Sequence, residues 1–328
     1  MTSHDPAPCL ACGGTLQRKI RGYRTDSPAG VDLFGQAALY RCAACGFVQM
    51  DPIPSQEALG NYYASAYRTG GRHGAEVANV QDFPRDNLFY MYRGQSIVKL
   101  LEPHIAKRIG REDLRILDVG AGFGHILHAF SQRYPASKRH AIEISEVCVK
   151  HLRSLGVTVF QAPTEEVLAT STETFDVIVL SHVLEHLREP HKTIPLLRDR
   201  LAPGGLLYIE VPHIPDAAFS HCLDHPWAPR FDEPHLTFFR PTTLTTMLEA
   251  RGLSVIFCEA AGPEYQKLSP LRYHRPKLQP LLLKLLPAGV KAFLRKQSFT
   301  KPLQRFDREP DFYRYGGEGI WIRSVSGR

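Results

Sequence analysis

The stretch ILDVGAGFG, residues 116–124, decides the fold of this chain. A short apolar run ends in Asp118, three glycines follow at Gly120, Gly122 and Gly124, and a helical pattern continues to about residue 134. Glycines after a buried strand let the backbone approach a ligand at the carboxyl end of that strand. Dinucleotide-binding proteins use the spacing G-x-G-x-x-G, whereas here it is G-x-G-x-G with an acid before the loop. We therefore expect a strand, a ligand-binding loop and a helix.

Strand-like and helix-like segments alternate on the carboxyl side of this stretch. Further strands are predicted at residues 140–144, 157–160, 175–180, 206–211 and 253–258, and a last one at 319–325. Helices are expected between them, including one over residues 191–201 and one over residues 242–250. Strict alternation indicates a parallel sheet with crossover helices. The fold class is therefore α/β, with a Rossmann-like sheet.

Four of the seven cysteines form two C-x-x-C pairs near the amino terminus, Cys9 with Cys12 and Cys42 with Cys45. Paired knuckles of this kind are typical of zinc sites, in which four thiolates surround the metal as a tetrahedron. So short a segment buries too little apolar surface to be stable alone, and it needs a bound metal or a covalent cross-link. We predict a zinc ribbon with one structural Zn²⁺ and no open ligand position.

Three regions follow from these patterns. Residues 1–54 are the predicted ribbon, residues 55–110 a helical lid or linker, and residues 111–328 the Rossmann-like domain, with a basic helical insert at about 264–316. The net charge of +7 comes from the carboxyl end, where residues 264–328 contain 14 Lys and Arg against 5 Asp and Glu. A basic excess of this kind is usually a solvated surface, but it also suits an acidic partner.

Residues 112–258 resemble class I methyltransferases that use S-adenosylmethionine (SAM). The resemblance rests on residues 116–124, on Glu143 at the end of the second strand, on FDVIVLSHVLEHL at 175–187, and on LAPGGLLYIEV at 201–211. It implies that SAM is bound by a set of cofactor residues: Asp118, Gly120, Gly122, Gly124, Glu143, Ser181 and His182. It further implies that Glu143 binds the ribose, while Gln161 and Ala162 are weaker candidates for the adenine edge. Glu185 and His186 we interpret as part of a capped helix start.

The knuckles, together with residues 48–55 and 61–63, also resemble bacterial methyltransferases of deoxysugar, natural-product and surface-glycan pathways. The similarity continues at residues 210–213 and in EPHLTFF at 233–239, where His235 matches the histidine that acts as base in sugar C-methyltransferases. Pro234 replaces the glutamate of that motif, and Asp232 replaces its tyrosine. The resemblance implies that His235 is the catalytic base. Glu233 is a second catalytic candidate because it is close enough in sequence to orient the ring of His235, and Asp232 is the alternative for that role. His213, Tyr62 and Tyr63 are candidates for substrate binding, and O-methylation is as good a prediction as C-methylation.

The fourth motif excludes several acceptors. It lacks the Asn/Asp-Pro-Pro-aromatic pattern of amino-group methylation, the cysteine of cytosine chemistry, and an acid pair that would chelate magnesium with a catechol. We predict methyl transfer to a hydroxyl or an acidic carbon of a small molecule, with or without a phosphate group, such as a nucleotide-linked sugar or a natural-product intermediate. The alternatives are an RNA methyltransferase that binds phosphates through its ribbon and basic tail, and a SAM-binding regulator without chemistry.

Location and partners are expectations of the same kind. No apolar run in the sequence is long enough to span a bilayer, and the first thirty residues do not resemble a signal peptide, so a cytoplasmic protein is expected. Residues 277–296 carry Lys277, Lys284 and Lys291 among leucines and suggest a peripheral membrane contact only weakly, because Pro287 divides them. Nucleic acid is not the expected partner.

Overall fold

The computed structural model describes residues 7–25, 27–63, 88–213, 234–263, 313–315 and 321–328. These residues form an eight-stranded sheet and a four-stranded sheet, with helices between the strands. Glu233, the predicted insert at 264–316 except for a short strand, and the segment 277–296 lie outside the described residues. Among the described helices, none combines the length and the apolar character needed to cross a membrane.

The large sheet carries the predicted Rossmann-like domain. Its strands, in chain order, are β4 (Arg115–Val119), β5 (Lys138–Ile142), β6 (Thr158–Phe160), β7 (Phe175–Ser181), β8 (Leu201–Pro212), β10 (Ser254–Pro263), β11 (Tyr313–Tyr315) and β12 (Trp321–Gly327). Their order across the sheet is β11-β10-β12-β8-β7-β4-β5-β6. The five strands from β8 to β6 are parallel, and β12 runs antiparallel between β8 and β10. The predicted alternation of strands and helices is confirmed, with an antiparallel edge added.

The helices of this domain cover the sheet with apolar faces. They are α3 (Leu88–Arg108), α4 (His125–Arg133), α5 (Glu146–Ser154), α6 (Thr164–Thr170), α7 (Pro190–Asp199) and α8 (Pro241–Glu249). In α5, for example, Cys148, Val149 and Leu152 are buried on one side at helical spacing. Strand β7 is buried throughout apart from its last residue, as expected for a central parallel strand covered on both faces.

The small sheet is built mostly from the amino-terminal segment. It contains β1 (Leu16–Gly22), β2 (Ala38–Cys42) and β3 (Val48–Asp51), and its fourth strand, β9 (Thr237–Phe238), comes from the methyltransferase-like region. Helix α1 (Pro28–Phe34) lies between β1 and β2, and α2 (Gln56–Asn61) follows β3. Ser55 caps α2 by accepting a hydrogen bond from the Ala58 amide, as its sequence position suggests.

The structure corrects three local expectations. The predicted ribbon contains a helix, α1, which the turn-rich sequence does not suggest. Strand β8 begins at Leu201 rather than after the glycines, because Leu201 pairs with Phe175 and Leu206 with Val177 while the residues between them bulge. The position of Ser145 directly before α5 predicts a side-chain cap, but the structure shows none; instead the Ser145 amide donates to Glu143 Oε1 at 2.8 Å.

Candidate active site

The glycine loop leaves open space above its backbone. Gly120, Gly122 and Gly124 all have positive φ, a conformation that favours glycine. A Cβ on Gly120 would lie 2.6 Å from Val183 Cγ2, whereas a Cβ on Gly122 would meet no atom within 4 Å. Gly120 is therefore needed for packing against the segment after β7, and Gly122 leaves room for a ligand to contact the chain directly.

Glu143 ties this loop to the end of β5. Its Oε2 accepts a hydrogen bond from the Gly122 amide at 2.8 Å, and its Oε1 accepts from the amides of Ile144 and Ser145 at 2.9 and 2.8 Å. The side chain is thus fixed at the loop, where the ribose is expected. Asp118 lies beneath it; burial, together with the charge of Glu143, raises the pKa of Asp118 to about 8.

Ser181 is the last residue of β7, and His182 follows it directly. His182 has φ 57°, a backbone conformation that is strained for a residue with a side chain. Its Nδ1 lies 3.2 Å from Glu185 Oε1, and its Nε2 lies 3.5 Å from Glu210 Oε1. Burial and the charge of Arg93 act against protonation, but the bonds to the two carboxylates raise the pKa of His182. The two carboxylates thus favour the protonated form of a histidine that lines the cavity.

A buried network of charged side chains contacts Ser181 and His182. Arg93 of α3 donates to Ser181 Oγ and, through Nε, to Glu210 Oε1 at 2.6 Å. Glu210 Oε2 accepts from the Tyr208 hydroxyl at 2.7 Å and lies 3.2 Å from Arg323 Nε. Burial opposes ionisation, but Arg93, the His182 bond and Arg323 lower the pKa of Glu210. The acid is therefore ionised and paired, as a buried carboxylate must be.

A cavity of about 280 Å³ opens over the glycine loop. Its walls come from the loop, from the ends of β5 and β7, from the start of α6 and from α2; the lining residues are Gly120, 142–145, 163–165, 182–183, 186–188, Gln56, Leu59, Gly60 and Tyr63. Residues 163–165 line the cavity, whereas the weaker adenine candidates Gln161 and Ala162 are not among its lining residues. The amino-terminal segment, through α2, therefore forms one wall of the cofactor cavity.

The predicted catalytic histidine lies in a cluster of three titratable side chains. The ligand atoms of Glu185, His186 and His235 lie within 4.8 Å of one another, and the rings of His186 and His235 have centroids 4.8 Å apart. His186 lines the cavity, whereas His235 is not one of its lining residues. Glu185 is 1% exposed. Burial acts against its ionisation, but the bond to His182 and the nearby histidines lower the pKa of Glu185 to about 2.

The candidate substrate residues are separated by the fold. Tyr63 lines the cavity and meets the His186 ring edge-on, with centroids 6.0 Å apart. Tyr62 is instead packed in the core of the small sheet, with its ring 5.4 Å from that of Phe34. His213 is 6% exposed at the end of β8, where its backbone bridges to Phe239. Of the three, Tyr63 alone is brought to the cavity.

The four knuckle cysteines converge on one point. Their sulfurs lie within 4.8 Å of one another, with Cys9 to Cys45 at 3.7 Å and Cys12 to Cys42 at 3.6 Å. Four sulfurs bound to Zn²⁺ at 2.3 Å would lie about 3.8 Å apart in a tetrahedron, so the arrangement fits this ion. Burial raises the pKa of Cys45 to about 11, so a bound cation would be needed to keep that thiol ionised.

The sequence reading missed two groups of residues. Glu185 and His186 lie in a 3₁₀ turn, Leu184–His186, rather than at a helix start, and they contact His235. The Arg93–Glu210–Arg323 network was also missed. One signal was available, since a glutamate inside the otherwise apolar run LLYIEV demands a buried partner. Nothing in the sequence names that partner.

These features together define a class of protein. The strand order, the glycine loop after the first parallel strand and the acid after the second are those of class I SAM-dependent methyltransferases. Residues 90–256, half of the chain, match the family described as "Methyltransferase domain". The chain therefore belongs to this methyltransferase family.

Curated relatives share only part of their length with this chain. A ubiquinone biosynthesis O-methyltransferase of Parvibaculum lavamentivorans is 37% identical over 103 residues, which span 30% of this chain and 40% of that protein. Its counterpart in Chelativorans sp. is 28% identical over 184 residues, which span 54% of this chain and 71% of that protein.

Among solved structures, the plantazolicin methyltransferase BpumL, in complex with a triazolic desmethylPZN analog and SAH, has a TM-score of 0.46 at 14% identity, covering 77% of this chain and 91% of that one. A SAM-dependent methyltransferase from Archaeoglobus fulgidus has a TM-score of 0.43 at 17% identity, covering 70% of this chain and 94% of that one.

Proposed function

We propose that this protein transfers the methyl group of SAM to a hydroxyl oxygen, or to an acidic carbon, of a small molecule. The observation that carries the proposal is the histidine-lined wall of the cofactor cavity, where His186 faces the cavity and His235 lies behind it. Removal of a proton from a hydroxyl near neutral pH suits imidazole. The curated relatives are named O-methyltransferases, which favours oxygen as the acceptor atom. Natural-product and nucleotide-sugar intermediates, including phosphate-bearing ones, remain the acceptor classes we propose.

Each proposed residue has a role in this scheme. When bound, SAM supplies an activated methyl group on a sulfonium centre. The residues proposed to hold it are Asp118, Gly120, Gly122, Gly124, Glu143, Ser181 and His182. His235 is the proposed base, Glu233 its proposed helper outside the described residues, and His213, Tyr62 and Tyr63 the proposed substrate contacts. Tyr63 has the best support among these contacts, because it lines the cavity.

Zinc and the domain division are also proposals. Cys9, Cys12, Cys42 and Cys45 suit a structural Zn²⁺, supported by the spacing of their sulfurs. We propose the division into a ribbon at 1–54, a lid at 55–110 and a methyltransferase domain at 111–328. Strand β9 belongs to the third region in sequence but is the fourth strand of the small sheet. The cytoplasmic location stays a prediction, and so do the roles of the basic insert and of residues 277–296.

The test is turnover with a defined acceptor panel. Purified protein and SAM carrying a labelled methyl group are incubated with phenols and quinols, with nucleotide-linked deoxysugars, and with total tRNA. Mass spectrometry then locates the new methyl group. We expect transfer to a small-molecule hydroxyl. Transfer to tRNA but to no small molecule would establish the RNA alternative, and SAM binding without any transfer would favour the regulator.

The same assay tests His235. Loss of a positioned general base costs roughly 10²–10⁴-fold in kcat. His235→Gln should therefore lower kcat by that range while SAH affinity, measured by calorimetry, stays constant. His140→Gln is the matched control, because His140, on β5, lies beside a carboxylate, Glu173, and is not among the residues that line the cavity. Near-full activity in His235→Gln with an inactive His213→Gln would transfer the role to His213.

A further inference from the structure

Glu185 is a buried carboxylate with an incomplete set of partners. Its Oε1 lies 3.2 Å from His182 Nδ1 and 3.8 Å from His186 Nε2. Its Oε2 is buried and has no hydrogen-bond partner among the described residues. An ionised carboxylate in such a place is costly unless positive charge lies next to it. Histidine rings surround Glu185, so the compensating charge available there is imidazolium.

The contacts of His186 determine which nitrogen can accept a proton. Its Nδ1 lies 3.4 Å from the backbone carbonyl oxygen of Pro234. A carbonyl oxygen can only accept a hydrogen bond, so this contact requires the hydrogen to be on Nδ1. In the neutral ring Nε2 then carries the lone pair, and Nε2 is the nitrogen that faces Glu185. When Nε2 takes up a proton, the positive ring lies against the negative carboxylate.

The surroundings of His186 join it to His235 and to the cavity. The two rings are 4.8 Å apart between centroids and tilted by 47°, and the ring of Tyr63, just after α2, meets that of His186 edge-on. Glu185 lies next to the two rings, in the 3₁₀ turn. His182 contacts Glu185 through Nδ1 and Glu210 on β8 through Nε2. The Leu236 amide donates to the Glu185 carbonyl at 2.8 Å, which fixes the segment carrying His235 against the turn.

We propose that His186 and His235 form one proton-accepting pair at the acceptor side of the cavity, with Glu185 as the positioning residue that stabilises its protonated form. The inference rests on the proposed function and deepens it, because it adds His186 and Glu185 to the predicted base. As the acceptor oxygen bonds to the methyl carbon, the carbon–sulfur bond breaks and its electron pair goes to sulfur. The acceptor proton passes to His186 Nε2 and is shared with His235.

Histidine NMR of the SAH-loaded protein tests the pair without any acceptor. Ring C–H signals of ¹³C-histidine-labelled protein are followed from pH 5 to 9, and His186→Gln and His235→Gln assign the two signals. We expect the titrations of His186 and His235 to be coupled, so that each variant changes the titration of the remaining ring. In Glu185→Gln both midpoints should fall by about one pH unit or more, because an opposite charge within about 4–6 Å is lost.

The matched control is Glu173→Gln, which removes the carboxylate beside His140 at 3.5 Å and should leave the titrations of His186 and His235 in place. Unchanged midpoints in Glu185→Gln, or independent titration of the two rings, would overturn the proposal. So would stoichiometric Mn²⁺ binding, seen by electron paramagnetic resonance and lost in Glu185→Gln, because the three side chains would then be metal ligands.

Kinetics supply a second readout once an acceptor is known. The free base must be unprotonated to act, so kcat falls below the pH at which the pair protonates. This fall in kcat is the acidic limb of the pH profile. Glu185→Gln should move the limb to lower pH and should also lower the maximal kcat, with KM for SAM little changed. Glu185→Asp should restore part of the limb position, which a purely structural role would not explain. Absence of turnover in the wild type, with the coupled titration intact, would refute the proposed function while leaving the pair standing.

Discussion

Glu143 holds two segments of backbone together by accepting three hydrogen bonds. One comes from the Gly122 amide in the glycine loop, and two come from the amides of Ile144 and Ser145. A carboxylate has about four lone-pair sites, so it can accept ribose hydroxyls in addition. The side chain that is predicted to bind the cofactor thus also shapes the loop beneath it. The two functions can be separated by substitutions that keep or remove the acceptor atoms.

We expect Glu143→Gln to weaken SAH binding by roughly 10- to 100-fold, because charge-assisted hydrogen bonds contribute about 1.5–3 kcal/mol each. Glu143→Ala should weaken it further, since the loop also loses its tie. Calorimetric titration with SAH measures both. Glu146→Gln is the control, because Glu146 is exposed on α5 and forms a surface ion pair with Lys150 at 2.7 Å. An unchanged dissociation constant in Glu143→Gln would remove this residue from the site.

At the scale of single residues, the sequence indicates site residues where they belong to one short, continuous pattern. The glycine loop and Glu143 follow from a strand, a turn and a helix within thirty residues. Glu185 and His186 were interpreted as a helix cap, because their partners Pro234 and His235 lie 48 or more residues further along the chain. Side chains that meet only through the tertiary fold leave no periodic signal in the sequence.

At the scale of elements, one buried acid joins three of them. Glu210 of β8 pairs with Arg93 of α3 and with Arg323 of β12, and all three side chains are buried. Arg93 and Glu210 are 117 residues apart in sequence. The antiparallel edge of the sheet and the long helix before β4 are therefore linked by charge as well as by apolar packing. Sequence reasoning predicted both elements but could not pair their charges.

We expect Glu210→Ala to reduce the free energy of unfolding by about 3–5 kcal/mol, because two buried arginines lose their counter-ion. Urea unfolding followed by circular dichroism measures the loss. Glu259→Ala is the control, since Glu259 lies on β10, which β12 separates from β8, and is exposed. A loss of less than about 1 kcal/mol in Glu210→Ala, as is typical of exposed ion pairs, would contradict the assigned role.

At the scale of the molecule, the small sheet and the large sheet share one apolar core. Cys9, Cys42 and Phe47 belong to the same buried cluster as Phe239 and Met247. Both knuckles are also bonded to the other region: Arg240 donates to the Gly46 carbonyl at 2.8 Å, and Arg251 donates to the Ala11 carbonyl at 3.1 Å. The predicted ribbon is thus packed as part of the fold, which sequence composition alone did not reveal.

We therefore expect about one Zn²⁺ per chain and a single cooperative unfolding transition that includes both sheets. Chelation of the metal should lower the temperature of that whole transition, as measured by calorimetry. Cys42→Ser should lower both metal content and melting temperature, whereas Cys148→Ser, a buried cysteine on α5, should leave the metal content unchanged. Two separate transitions, with the metal affecting only one, would contradict a shared core.

The pairing of β3 with β9 has a consequence for the ancestry of this protein. Val48 pairs with Phe238 and Gln49 with Thr237, while the Tyr23 hydroxyl donates to the His235 carbonyl at 2.9 Å. A gene fusion that exchanged only the first 54 codons would leave these partners behind and expose the edge of the sheet. Recombination that preserves activity must therefore carry two distant stretches of the gene together. The cysteine knuckles and the EPHLTFF segment are expected to be inherited as a unit.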